Sequence, residues 1–282
     1  MPETRLLPNA PTRSQWIEAG GAITAHRHDD HQIVYAARGV LAVTTAAGTW
    51  VAPANRAVWI PAGTEHAHQA HGGLELHLVG LDAADNPLGL DEPAVLTVDP
   101  LLRELILAYT RAPDHGDPAR DDDDPASDHG DPARDDGDPA SDHGDPARDD
   151  GDPARARLRA VLLDRLSASP QQPVHLPSPT APVLVALCAI LRADPGERRT
   201  LAALGREVGA SERTLSRLFR ADLGMTFPQW RTQLRLYRAL VLLAEGLPVT
   251  AVAHTCGWAS AGAFIDVFRR AYGHTPGTHR TR

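Results

Sequence analysis

The sequence predicts two domains of unlike class, an all-β barrel or sandwich followed by an all-α domain. Its 282 residues exceed the roughly 100–200 expected of one domain. Its texture changes from short β-like segments before residue 100 to consecutive short helices after residue 181. Its charge is uneven: −5 over residues 1–113, −12 over 114–155, +2 over 156–180 and +7 over 181–282. A basic terminal domain on an acidic chain implies a polyanionic partner for that domain alone. All 28 basic residues are Arg, a choice that carries little functional weight.

The first domain, residues 1–100, contains QIVYAA, VLAVTT, GTWVA, AVWIP and LELHLVGL, separated by Gly, Pro, Asn and Asp. Short β-branched and aromatic runs between turn residues predict strands, and many in close succession predict a barrel or sandwich. Trp50, Trp59 and Tyr35 are read as its core. Two segments follow with helical apolar spacing, LLRELILAYT and ARARLRAVLLDRL. Residues 101–113 and 155–180 are therefore expected to form a helical linker or dimerisation region.

Between them, residues 114–155 hold three copies of a 14-residue unit beginning DHGDPARDD. The unit lacks an apolar face to stack and lacks the ligand spacing of an EF-hand loop, so a disordered insertion is expected.

In the last domain, residues 181–282, Thr200 is placed to cap a helix LAALGREV that Gly209 ends. Ser211 is placed to cap ERTLSRLFRADL, which Gly224 ends. Helix, short Gly turn and helix is the helix-turn-helix plan. Its expected interior is Leu201, Leu204, Val208, Leu215, Leu218 and Phe219. A longer helix runs from Phe227 to the Gly246 stop. The plan then recurs: Val249 to His254, a Gly257-Trp258 turn, and AGAFIDVFRRAYG capped by Ser260. Arg220 and Arg235 are read as solvated helix faces.

The segments LAALGREVGASERTLSRLFRADLGMTF and VTAVAHTCGWASAGAFIDVFRRAYGHTP resemble the AraC/XylS family of bacterial transcription regulators. The resemblance covers about a hundred C-terminal residues. It departs at Gly205, where a small Ala is usual, at Trp258, where Phe or Tyr is usual, and at Gly262. It implies double-stranded DNA as partner, with bases faced by Arg213, Ser216 and Arg217 in the first unit. In the second, Ala261, Gly262, Ile265 and Asp266 are implied. Arg can bind guanine as a bidentate donor. Arg269 and Arg270 are read as phosphate contacts, which position without reading sequence.

Seven of the fourteen histidines fall within residues 26–77. The runs GAITAHRHDDHQIVYAARG and VWIPAGTEHAH resemble the two motifs of the cupin superfamily, a small β-barrel. His26 and His28 supply a His-x-His pair whose side chains share a strand face. Pro61 to His66 supplies the turn and third His. The motif's carboxylate falls near Gln32, with His31 beside it. This set suits either a divalent transition metal or the polar lining of an organic-effector pocket. His68 and His71 are read as solvated.

The resemblance implies a cytoplasmic regulator responsive to a small-molecule or metal effector. Its partners are DNA, a second copy of the chain in a homodimer, and RNA polymerase if it activates. The competing reading is a metal-dependent cupin enzyme with an accessory helical domain. The double helix-turn-helix favours the regulator, because an enzyme has no need of it. No membrane association is expected: the apolar run Ala181 to Leu191 is too short to span a bilayer and contains Pro182. The opening MPETRLLPNAPTRSQW lacks the apolar region of a signal peptide. Cys188 and Cys256 show no ligand spacing.

Overall fold

The computed structural model describes residues 5–111, 152–172 and 175–279. An all-β domain precedes an all-α domain, as expected. Strands β1 (Arg5–Leu7), β2 (Arg13–Ile17), β3 (Ala22–His28), β4 (His31–Thr45) and β5 (Gly48–Pro53) come first. They are followed by β6 (Arg56–Ile60), β7 (His66–Leu81) and β8 (Ala94–Thr97). QIVYAA and VLAVTT, separate runs in the sequence, join as the single strand β4. The joint is Gly39 at φ +83, where the register against β7 shifts and where a Cβ would stand 2.6 Å from the Gly73 carbonyl oxygen. Only glycine tolerates both the positive φ and that approach.

The two long strands organise the sheet. The first half of β4 pairs with β6 and its second half with β5, while β7 pairs along its length with β4. On its other edge β7 takes β3 near its start and β2 further on. The hydrogen-bonded path runs β1-β3-β7-β4-β6-β8 and ends on β9 (Gln171–Gln172), with β10 (His175–Pro177) paired to β5, so among the described residues the ten strands wrap without closing on themselves.

Helix α1 (Pro100–Thr110) starts at Asp99, whose carboxylate accepts from the Leu102 amide. Helix α2 (Pro153–Ser167) starts at Asp152 in the same way, through Ala154. Leu102, Ile106, Tyr109, Leu162 and Leu166 bury against Ile33, Tyr35, Trp59 and Val79. Two expectations need correction. The last residues of the third repeat are helical, since Asp152 caps α2 and Pro153 fits its first turn. The reading of 114–151 lies outside the described residues. Nor is 155–180 helical throughout: β9 (Gln171–Gln172) adds to β8, and β10 (His175–Pro177) adds to β5.

The second domain comprises α3 (Pro182–Ala193), α4 (Leu201–Glu207), α5 (Glu212–Leu223), α6 (Phe227–Ala244), α7 (Val249–Thr255) and α8 (Ala261–Tyr272). It has two cores. One joins Leu184, Leu187 and Leu191 of α3, Leu204, Leu215 and Phe219 of the first helix-turn-helix, and Phe227, Trp230 and Leu234 of α6. The other joins the second half of α6 to α7 and α8, and it includes Val40, Ala42 and Val51 of the β domain. The second helix-turn-helix thus shares its interior with the sheet. Polar contacts reinforce this seam: Asn55 Nδ2 and an Arg56 guanidinium nitrogen both donate to the Tyr272 carbonyl, at 3.1 and 3.2 Å.

Candidate functional site

Three histidines converge in the β domain. His26 and His28 stand two apart on β3, and His66 opens β7 opposite His26. All three are buried, and their ligand-capable nitrogens lie within 4.8 Å of one another. Each Nδ1 lies 2.8 Å from a backbone carbonyl, those of Thr24, Asp30 and Thr64 respectively. A carbonyl only accepts, so each Nδ1 carries the proton and each Nε2 presents a lone pair. Nε2 of His28 and of His66 is buried without a protein partner. Burial lowers both groups, His66 to about 4, and neighbouring imidazoles lower them further. His28 and His66 are therefore neutral at pH 7, the form that binds a metal.

The other members behave differently. Gln32 is buried with its Oε1 unpartnered. His31 is a correction to the ligand set. Its Nδ1 accepts from the Ala62 amide at 2.9 Å, its Nε2 lies 3.1 Å from the Ala83 carbonyl, and its ring stacks on Trp59. Both nitrogens are used, so it holds loops in place. His68 was expected in solvent, yet it is buried with both ring nitrogens unpartnered. Its ring lies 5.1 Å from that of His66 and 5.7 Å from that of His26. The missed signal was period two: His66 and His68 share a face of β7. His71 is half-buried, 3.5 Å from the Tyr237 hydroxyl of α6. Trp50, Trp59 and Tyr35 are core, as expected.

The second cluster lies on the helical domain. Ser211 caps α5 through the Thr214 amide, Ser260 caps α8 through the Ala263 amide, and Gly224 and Gly273 close both helices in the left-handed conformation. Leu201, Leu204, Leu215 and Phe219 are fully or almost fully buried, with Val208 and Leu218 packed beside them. At Gly205 a Cβ would lie 2.4 Å from the Ala210 carbonyl oxygen, against which the turn closes. Arg213, Ser216, Arg217 and Arg220 share one face of α5, with the three arginines exposed and Ser216 half-buried. On α8, Gly262, Asp266, Arg269 and Arg270 are exposed, whereas Ala261 and Ile265 are half-buried. Arg235 is not a solvated face. Its guanidinium donates to the Pro195 and Glu197 carbonyls, both at 3.0 Å, and lies over Trp258. Cys188 and Cys256 are buried free thiols.

Among the described residues, no helix is long and apolar enough to cross a membrane. Residues 12–122 match the AraC-like ligand binding domain, and residues 204–282 match a helix-turn-helix domain. The chain is 31% identical over 260 residues to the HTH-type transcriptional regulator NimR of Escherichia coli strain K12, covering 91% of this chain and 82% of that protein. It is 32% identical over 100 residues to a putative AraC-like transcription regulator of Streptomyces antibioticus, covering 35% and 33% of the two chains. Among solved structures, the DNA-binding domain of AdpA in complex with a target DNA aligns at 31% identity and TM-score 0.33, over 34% of this chain and 88% of that one. These relatives are regulators and not enzymes. A ligand-binding β domain followed by a DNA-binding pair of helix-turn-helix units, matched along nearly the whole chain by a known regulator, makes this protein a member of the AraC/XylS family of transcription regulators.

Proposed function

We propose that this regulator senses a divalent transition metal at His26, His28 and His66 and couples it to sequence-specific DNA binding. One observation carries the reading: Nδ1 of all three rings is held by backbone carbonyls, while Nε2 of His28 and His66 is buried without a partner. Such outer hydrogen bonds fix the tautomer that a metal needs. Gln32 offers its unpartnered Oε1 as a further oxygen donor. A bound cation supplies the charge and coordination that these buried nitrogens lack. The route to DNA starts on the same strand: β7 carries His66 and then His71 and Gly72, which meet Tyr237 and Ala244 of α6.

On the DNA side, Arg213, Ser216 and Arg217 face bases from α5. Ala261, Gly262, Ile265 and Asp266 offer the second groove apolar surface and one acceptor, and Arg269 and Arg270 meet phosphates. Two reader helices on one face of a duplex serve successive major grooves about 34 Å apart.

Elemental analysis of purified protein against the His26→Ala/His66→Ala double variant tests the sensor. Stoichiometric metal in the parent and its loss in the variant are expected. Equal trace metal in both would sink the coordination reading.

A further inference from the structure

His68 has no role in a three-histidine site, yet its burial demands one. It is 3% exposed, and neither ring nitrogen has a partner. Buried polar groups are almost always paired, because an unpaired one forfeits its hydration for nothing. The sheet removes the nearest candidates. With His26 opposite His66, regular antiparallel pairing would set Thr24 across from His68 and offer it a hydroxyl. The register of β3 shifts between Ile23 and His26, so Ile23 stands there instead. On the other side the paired residue is Val43 of β4. Both neighbours are apolar, and both pack in the core of the sheet.

What His68 does face is imidazole. Its ring centroid lies 5.1 Å from that of His66 and 5.7 Å from that of His26. His28 lies 4.9 and 5.9 Å from the same two rings. Along the strands His28 and His68 flank the His26–His66 pair, and they approach it equally closely. Rings that share one ion through nitrogens at about 2.0–2.1 Å have centroids roughly 5 Å apart. Among the described residues, no carboxylate or thiolate joins His26, His28 and His66. Imidazole donors suit zinc, copper and nickel, whereas manganese and magnesium favour oxygen donors.

We propose that His68 is a fourth imidazole ligand of the ion at His26, His28 and His66, completing a nitrogen-rich set that takes Zn²⁺, Ni²⁺ or Cu²⁺ and discriminates against Mn²⁺ and Mg²⁺. It rests on metal binding by those three histidines, and adds a ligand and a class of ion. The ion supplies the partner that Ile23 and Val43 deny the ring. Without metal, His68 is a polar group in an apolar setting. Its replacement by Leu should therefore weaken metal binding without weakening the metal-free fold.

Full-length protein, stripped of metal with a chelator and dialysed, is titrated with Zn²⁺, Ni²⁺ and Mn²⁺. Saturable Zn²⁺ and Ni²⁺ binding is expected, with Mn²⁺ far weaker, and all of it lost in His26→Ala/His66→Ala. His68→Leu should weaken Zn²⁺ and Ni²⁺ roughly tenfold or more and shift the visible absorption bands of bound Co²⁺, which report the donor set. The metal-free Tm of His68→Leu should equal or exceed that of the parent. Parental affinities and an unshifted Co²⁺ spectrum in His68→Leu would overturn the fourth ligand and leave the three-histidine site standing. A metal-free Tm well below the parent's, or failure to fold, would show a packing role and overturn it too. Mn²⁺ bound as tightly as Zn²⁺ would overturn the discrimination. No metal binding by the parent would remove the three-histidine site and this ligand together.

Discussion

His77 ties the sheet to α1 and links that junction to pH. Its Nδ1 donates to the Thr110 hydroxyl at 2.6 Å, and that hydroxyl donates onward to the Ile106 carbonyl. Glu75 lies 3.4 Å from Nε2 and favours the imidazolium, but burial outweighs it and lowers the pKa below 6.5. Between the lowered folded value and the unfolded one near 6.5, the unfolded chain binds more protons. Stability from this residue is therefore full above about pH 6.5 and declines as pH falls below it. Melting temperature should drop between pH 7 and 5, and less steeply for His77→Asn. An identical slope in the variant would remove His77 from the account. A second pair of residues separates reading from anchoring. Arg217→Ala should relax preference at one base by about 1–3 kcal/mol, whereas Arg269→Ala should weaken all sequences alike and lower the salt slope. Binding to a library of single-base-substituted sites measures both, and a reversed pattern would exchange their roles.

At the level of elements, the reader helices depend on their caps. Replacing Ser211 with Ala removes the acceptor for the Thr214 amide and should cost about 1 kcal/mol, seen as a lower Tm. An unchanged Tm would mean that another group satisfies that amide. The helical domain was legible in the sequence because its signals are local: Thr200, Ser211 and Ser260 cap where their spacing predicts, and Gly224 and Gly273 stop the helices. The histidine cluster was legible in part. His26, His28 and His66 follow from motif and alternation, but His31 does not, because the Ala62 amide and Ala83 carbonyl that occupy it come from distant turns. Arg235 was misread for the same reason: the carbonyls of Pro195 and Glu197 reach it only through tertiary folding. The joining of two runs into β4 was hidden because Gly39 looks like a turn and acts as a bulge.

Over the whole molecule, charge and packing set how the domains can be used. Residues 114–151 alone carry −12 beside a +7 DNA-binding domain. Their deletion should raise non-specific DNA affinity at low salt, and the difference should fade as salt screens it. Equal affinity at low salt would show that this charge does not compete. The helical domain is not an independent block, because Val40, Ala42 and Val51 complete the core around Leu240, Leu243 and Phe268. Cutting at residue 181 would strip those side chains of their cover, so variants of the reader are best compared in the full chain.

Helix α6 has a consequence for backbone exposure. Its first half is anchored in the core of α3 and α5 through Phe227, Trp230 and Leu234. Its second half is anchored in the core shared with the sheet through Leu240 and Leu243. At 1.5 Å per residue it spans about 27 Å between the two, an unbroken strut of 18 residues. Neither core can loosen alone and free the middle of that strut. Amide protons near Leu236 to Leu240 should therefore exchange with deuterium only when both cores open together. Those of the short α4 should exchange through smaller, local openings.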